Sequence, residues 1–158
     1  MGAAGAGKTT LGLALAAELG WRFVEGDDQH PARNIEKMRR GDALTDADRA
    51  PWLAALHATV ARTAERRESL VLACSALKRR YREILRGNCR QVRFVYLKAS
   101  EAELARRLSA RTAHFAGPGL LKSQLAALEE PSGDEALIVD ARWPPEQVLG
   151  TIRKEFGI

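Results

Sequence analysis

The chain has 158 residues, 46% hydrophobic and 28% charged, with a net charge of +5. That is enough for one domain with a buried core, and the composition excludes a disordered or fibrous protein. The longest apolar runs fall well short of the roughly 20 residues a bilayer requires, and two cysteines without CxxC spacing exclude a disulfide framework or zinc site.

Residues 2–9, Gly2-Ala3-Ala4-Gly5-Ala6-Gly7-Lys8-Thr9, satisfy the phosphate-loop pattern G-x-x-x-x-G-K-[ST]. Its glycines let successive N–H groups curl around an anion, and a helix predicted over 8–19, with Leu11, Leu15 and Leu19 on one stripe, adds its positive end. The expected nucleotide contacts are Gly2, Gly5, Ala6, Gly7, Lys8, Thr9 and Thr10. In that arrangement Lys8 reaches the β- and γ-phosphates of ATP, and the Thr9 hydroxyl ligates Mg²⁺. The apolar run after Lys8 imitates a signal peptide, but its glycine and lysine spacing is that of a phosphate loop. Such loops follow a buried strand, whereas this motif opens at residue 2. The expectation is therefore a first strand that is missing or truncated at the N-terminus.

Arg22 to Glu25 reads as a short strand. The carboxylates of Glu25, Asp27 and Asp28 then emerge at the C-terminal edge of the sheet, where α/β folds place ligands. Asp27 is the expected base for an acceptor hydroxyl, Glu25 the expected metal-side carboxylate, and Asp28 a turn residue. A helix is predicted over 51–66 with Pro51 in its first turn, and strands at 70–74 and 92–97. Ser100 and Glu103 form the pattern of a capping box, opening a helix that carries Leu104 and Leu108. Residues 111–123, rich in glycine and small side chains, read as a mobile arm. Leu137–Val139 is the last strand, and Val148, Ile152 and Phe156 line the closing helix. The alternation predicts an α/β fold: a mainly parallel sheet flanked by helices, of the phosphate-loop kinase type, as a single domain over 1–158.

Several runs carry a family resemblance: Gly26-Asp27-Asp28-Gln29-His30-Pro31, Asn34-Ile35-Glu36-Lys37-Met38 with Gly41, and Asp46 to Leu53. Further along come Ala73 to Arg82, His114-Phe115, Leu120-Leu121, Ser123-Gln124 and Leu128-Glu129-Glu130-Pro131. In this order, over nearly the whole chain, they resemble gluconokinases, the phosphate-loop kinases of D-gluconate. The resemblance implies transfer of the ATP γ-phosphoryl group to the 6-hydroxyl of gluconate and a homodimer. The sparse cysteines and short apolar runs point to a cytoplasmic enzyme without a membrane partner, and nucleic acid is not an expected partner. A small polyol carboxylate calls for cations and polar groups, so Arg49, Arg79 and Arg82, with His30 and Lys78, are candidates to hold it. By the same likeness Arg107 stacks on adenine, Arg111 meets the transferring phosphoryl, and His114 contacts substrate or pins the closed arm. Departures from the family pattern cluster in that arm, at Ala113, Ala116 and Gly117. The rival readings are a kinase of another small acceptor such as shikimate or adenylyl sulfate, a catalytically impaired phosphate-loop domain, and a nucleic-acid binder. Against the last, aromatic residues make up only 6% of the chain.

Overall fold

A computed structural model describes residues 1–110 and 118–158. Helices α1 (Lys8–Leu19), α2 (Ala32–Arg39), α3 (Asp46–Glu65), α4 (Arg79–Arg86), α5 (Glu101–Ser109), α6 (Pro118–Ala127) and α7 (Pro145–Phe156) are interleaved with strands β1 (Arg22–Glu25), β2 (Leu70–Ala73), β3 (Val95–Lys98) and β4 (Leu137–Asp140). A turn of 3₁₀ helix at Gly26–Gln29 follows β1. The strands form two parallel pairs: β1 with β2, Arg22 opposite Leu70, and β3 with β4, Val95 opposite Leu137.

Met1 and Gly2 bridge the two pairs. The Met1 nitrogen donates to the Val95 carbonyl, the Leu97 amide donates to the Met1 carbonyl, and the Gly2 amide donates to Ser75. Below this bridge, between β2 and β3, lies a cavity of about 680 Å³ lined by Leu15, Val71, Val95, Leu97, Ile152 and Phe156 among others. The phosphate loop is thus anchored on both strand pairs, at Ser75 just past β2 and along β3 from Val95 to Leu97.

The core divides by helix layer. Leu15 of α1, Leu104 of α5 and Val148, Leu149 and Ile152 of α7 pack with Leu97 and Val139 of the strands. Trp52, Leu53 and Leu56 of α3 pack with Cys74, Tyr81 and Leu85. Met38, Leu44 and Leu120 form a third cluster under α2.

Several boundaries differ from the sequence expectation. Helix α3 starts at Asp46 rather than near Pro51, because Thr45 and Asp48 form a reciprocal capping box. Pro51 therefore sits inside the helix. Strand β3 begins three residues late, since a Val92-to-Cys89 turn bond takes the start of the apolar run. Ser100 does cap α5 by accepting from the Glu103 amide, but the Glu103 carboxylate turns instead to Arg106 and Arg107. Helix α2 was not anticipated. Of the expected mobile arm at 111–123, residues 118–123 belong to α6, with Leu120 and Leu121 buried, and residues 111–117 lie outside the described residues.

One polar link is sealed inside. Arg82, 2% exposed, donates from Nε and Nη2 to the two oxygens of Glu135 at 2.6 and 3.1 Å, and from Nη1 to the Ala76 and Leu77 carbonyls. Removing one partner strands a buried charge, whereas replacing both with apolar groups removes the desolvation cost too. Glu135→Ala should lower unfolding stability by about 3–5 kcal/mol, and Arg82→Met with Glu135→Met should recover most of that loss, as read by urea denaturation.

Candidate active site

The loop from Gly2 to Gly7 is held by its own backbone. The Ala6 amide and Lys8 Nζ both donate to the Ala3 carbonyl, at 3.2 and 3.1 Å. Gly5 has φ +86°, and a Cβ there would lie 2.9 Å from the Leu104 carbonyl oxygen, so both conformation and space require glycine. Gly7, also left-handed at φ 92°, caps α1 and turns the chain so that the first-turn amides sit beside the loop at the positive end of the helix dipole. The Ala4 amide donates to Gln124 Oε1 at 2.7 Å, which ties α6 to the loop.

Across from the loop, the Thr9 hydroxyl donates to the Glu25 carboxylate at 2.5 Å. The second Glu25 oxygen accepts from the Asp27 amide at 3.5 Å and so caps the 3₁₀ turn. Gly26 makes this corner possible, because a Cβ there would lie 2.6 Å from the Ala73 carbonyl oxygen and 2.8 Å from Cys74 Cβ. Asp27 is half-buried and Asp28 exposed. Beneath them Cys74 is a core residue: burial pushes its thiol up to about 11, the charges of Asp27 and Glu25 adding to the rise and that of Lys8 opposing it. It is no nucleophile at neutral pH. Lys8, Glu25 and Asp27 thus all lie near enough to act on the Cys74 thiol, just past the carboxyl ends of β1 and β2. Thr9 and Glu25 supply the hard oxygen donors that suit Mg²⁺, and among the described residues no cluster of three or more His, Cys, Asp or Glu groups offers another metal site.

The third part is a wall built by α2 and α3. Trp52, 1% exposed, donates from Nε1 to the Gly26 carbonyl at 2.7 Å. Its ring stacks on His30, centroids 4.3 Å apart at 11°. Burial, with the Arg49 charge nearby, pulls the His30 imidazole down to about 4, so the ring is neutral at physiological pH. Asn34 is fully buried and donates to the Asp48 carbonyl at 2.7 Å. The Asp48 carboxylate binds Lys37 at 2.8 and 2.9 Å and the Thr45 cap. Lys37 and Thr45 hold that carboxyl well below its usual range.

The basic residues expected to hold a carboxylate are mostly engaged within the protein. Arg82 faces inward: four of its five N–H donors go to Glu135 and two carbonyls, and at 2% exposure it presents no open face to a ligand. Lys78 pairs with Asp46 at 3.0 Å, and Asp46 also takes Arg80 and the Tyr81 hydroxyl. Arg79 pairs with Glu83 at 3.3 Å on an exposed face. Arg49 is buried, donates to the Leu44 carbonyl, and lies 5.8 Å over the Tyr81 ring. Ion pairs reached by water, such as those of Lys78 and Arg79, exchange partners at little cost, so these two stay able to meet an anion. Arg107 bonds Glu103 at 2.5 Å and the Ala141 carbonyl at 2.8 Å, fixing its guanidinium plane beside the end of β4. Arg111 and His114 lie outside the described residues. Asn34, Trp52 and Gln124 were assigned no role from sequence. The one available signal was spacing, since Asn34 stands four residues after His30 at the start of a helix.

Comparison with known proteins agrees with this architecture. A family model described as "AAA domain" matches residues 1–131. The gluconokinase of Gluconobacter oxydans is 49% identical over 99% of this chain and 88% of its own length. The thermosensitive gluconokinase of Escherichia coli is 43% identical over 88% of this chain and 74% of its own. Among solved structures, a sugar kinase from Janibacter superposes with a TM-score of 0.94 at 41% identity, covering 100% of this chain and 92% of the other. A gluconokinase from Sinorhizobium meliloti gives 0.88 at 42%, covering 99% and 89%. With a phosphate loop, an acidic corner and a substrate-side wall in one parallel α/β frame, this chain belongs to the gluconokinase family of phosphate-loop kinases.

Proposed function

We propose that this kinase transfers the γ-phosphoryl group of ATP to the 6-hydroxyl of D-gluconate, giving 6-phospho-D-gluconate in the cytoplasm. The observation that carries the reading is the 2.5 Å contact between Thr9 and Glu25, which joins the phosphate loop to the strand end bearing Asp27. Nucleotide phosphates and an acceptor alcohol are thereby brought to the same corner.

In this mechanism the loop amides of Gly5, Ala6 and Gly7, with Lys8, Thr9 and Thr10 at the helix start, cradle the phosphates. Lys8 exchanges the Ala3 carbonyl for phosphate oxygens. Thr9 and Glu25 would hold Mg²⁺, which when bound neutralises phosphate charge. Asp27 accepts the proton of the acceptor hydroxyl as its oxygen attacks phosphorus, and ADP leaves. His30 offers a hydrogen bond to the acceptor, Arg49, Lys78 and Arg79 supply positive charge for its carboxylate, and Arg107 presents a flat cation to the base. Arg111 and His114 complete the set on the family likeness.

The first check is a coupled assay for ADP release with gluconate, shikimate, gluconolactone and no acceptor. Release should depend on gluconate, and equal rates with and without it would end this reading. Lys8→Ala should abolish turnover. Asp27→Asn should lower kcat by roughly 10²–10⁴, and a near-normal kcat would remove Asp27 as the base.

A further inference from the structure

Asn34 occupies an odd position for a polar side chain: it is 0% exposed, and its Oδ1 is a buried acceptor with no partner among the described residues. Nδ2 explains why that is tolerated. It donates to the Asp48 carbonyl at 2.7 Å, and a carbonyl can only accept, so the amide cannot turn round without opposing two oxygens. The same Nδ2 lies 3.4 Å from Nδ1 of His30. With both Nδ2 hydrogens pointing outward, Nδ1 must be the acceptor. The ring proton of a neutral His30 therefore sits on Nε2.

The ring has little freedom to do otherwise. It is stacked on Trp52, and Trp52 is pinned to the Gly26 carbonyl one residue before Asp27. Burial and Arg49 keep it neutral down to about 4. Among the described residues none accepts from Nε2, and the His30 side chain keeps a 9% exposed edge. A neutral N–H donor of fixed direction is thus carried on the wall beside the acidic corner.

We propose that Asn34 is a positioning residue that locks His30 in its Nε2–H tautomer, so that His30 donates to a hydroxyl or carboxylate oxygen of the acceptor. The proposal rests on the sugar-acid kinase reading above and deepens it. The wall selects acceptors that present an oxygen lone pair at that point, and a ring with its proton on Nδ1 would present a lone pair against a lone pair.

Two-bond ¹H–¹⁵N correlation spectra of the full chain, free of substrate, read the tautomer directly. The sequence has three histidines, and His30→Gln identifies the His30 signals. Nε2 should carry the proton, with Nδ1 at an unprotonated shift; an Nδ1–H ring, or an even mixture, overturns the proposal. Asn34→Asp replaces the donor with an acceptor and should move the proton to Nδ1. It should also raise the KM for gluconate about tenfold or more while the KM for ATP changes little. A folded Asn34→Asp protein with an unchanged tautomer and unchanged KM for gluconate overturns it too. Should Asn34→Asp fail to fold, the wild-type spectrum still decides the tautomer. Failure of the gluconate reading would appear as acceptor-independent ADP release with the Nε2–H signature intact, so the two outcomes are distinguishable.

Discussion

Trp52 holds the two sides of the active corner in register. Its indole N–H satisfies the carbonyl of Gly26, the residue where β1 turns into the acidic segment, and its face supports His30 on the opposite wall. Burial of a ring this size contributes on the order of 3 kcal/mol, but its directional bond matters more here. Gly26 is buried and a Cβ there would strike Ala73 of β2, so nothing bulkier fits at this corner. A tryptophan from α3 is what closes the gap. Asp27, His30 and the α2–α3 wall all inherit their positions from that contact.

The electrostatics follow a similar economy. A chain with a net charge of +5 might be expected to leave a field of unengaged cations facing an anionic ligand. Instead most of the basic side chains around α4 are matched, Arg82 with Glu135, Lys78 and Arg80 with Asp46, Arg79 with Glu83, while Arg86 lies over the Phe94 ring. These matches differ in kind. The Arg82 side of its pair is buried, Glu135 is only partly exposed, and the two form a structural cross-link between α4 and the segment before β4. The pairs at Lys78 and Arg79 are wet and exchangeable, which suits residues that must release one anion to take another.

Much of the frame was legible in the sequence. The phosphate-loop spacing and the Leu11–Leu15–Leu19 stripe located α1 to its ends, and the short apolar runs located β1, β2 and β4 within a residue. Periodicity and loop chemistry are local, so they survive without tertiary information. Element starts survived less well. At α3 the eye is drawn to Pro51, while the actual start is fixed by the Thr45–Asp48 box five residues earlier, because two reciprocal bonds outweigh one proline preference. Helix α2 escaped because its mean hydropathy is low and its two buried residues, Asn34 and Met38, give little apolar stripe.

By itself the sequence determined which chemistry was present: a glycine-rich anion loop, a lysine and threonine at its end, and a carboxylate cluster after a strand. These are fixed by residue type and spacing within one turn or loop, so no folding is needed to see them. Only the tertiary structure decided which charges were available for that chemistry. Arg82 and Arg79 are near neighbours in sequence and equivalent as formal charges, yet one is sealed against Glu135, from 53 residues away, and the other is exposed. The fold likewise turned Asn34 and Trp52 from ordinary members of a helical run into the supports of His30, since their partners Asp48 and Gly26 come from other elements. Pairing across such distances depends on how helices dock, and no local pattern records it.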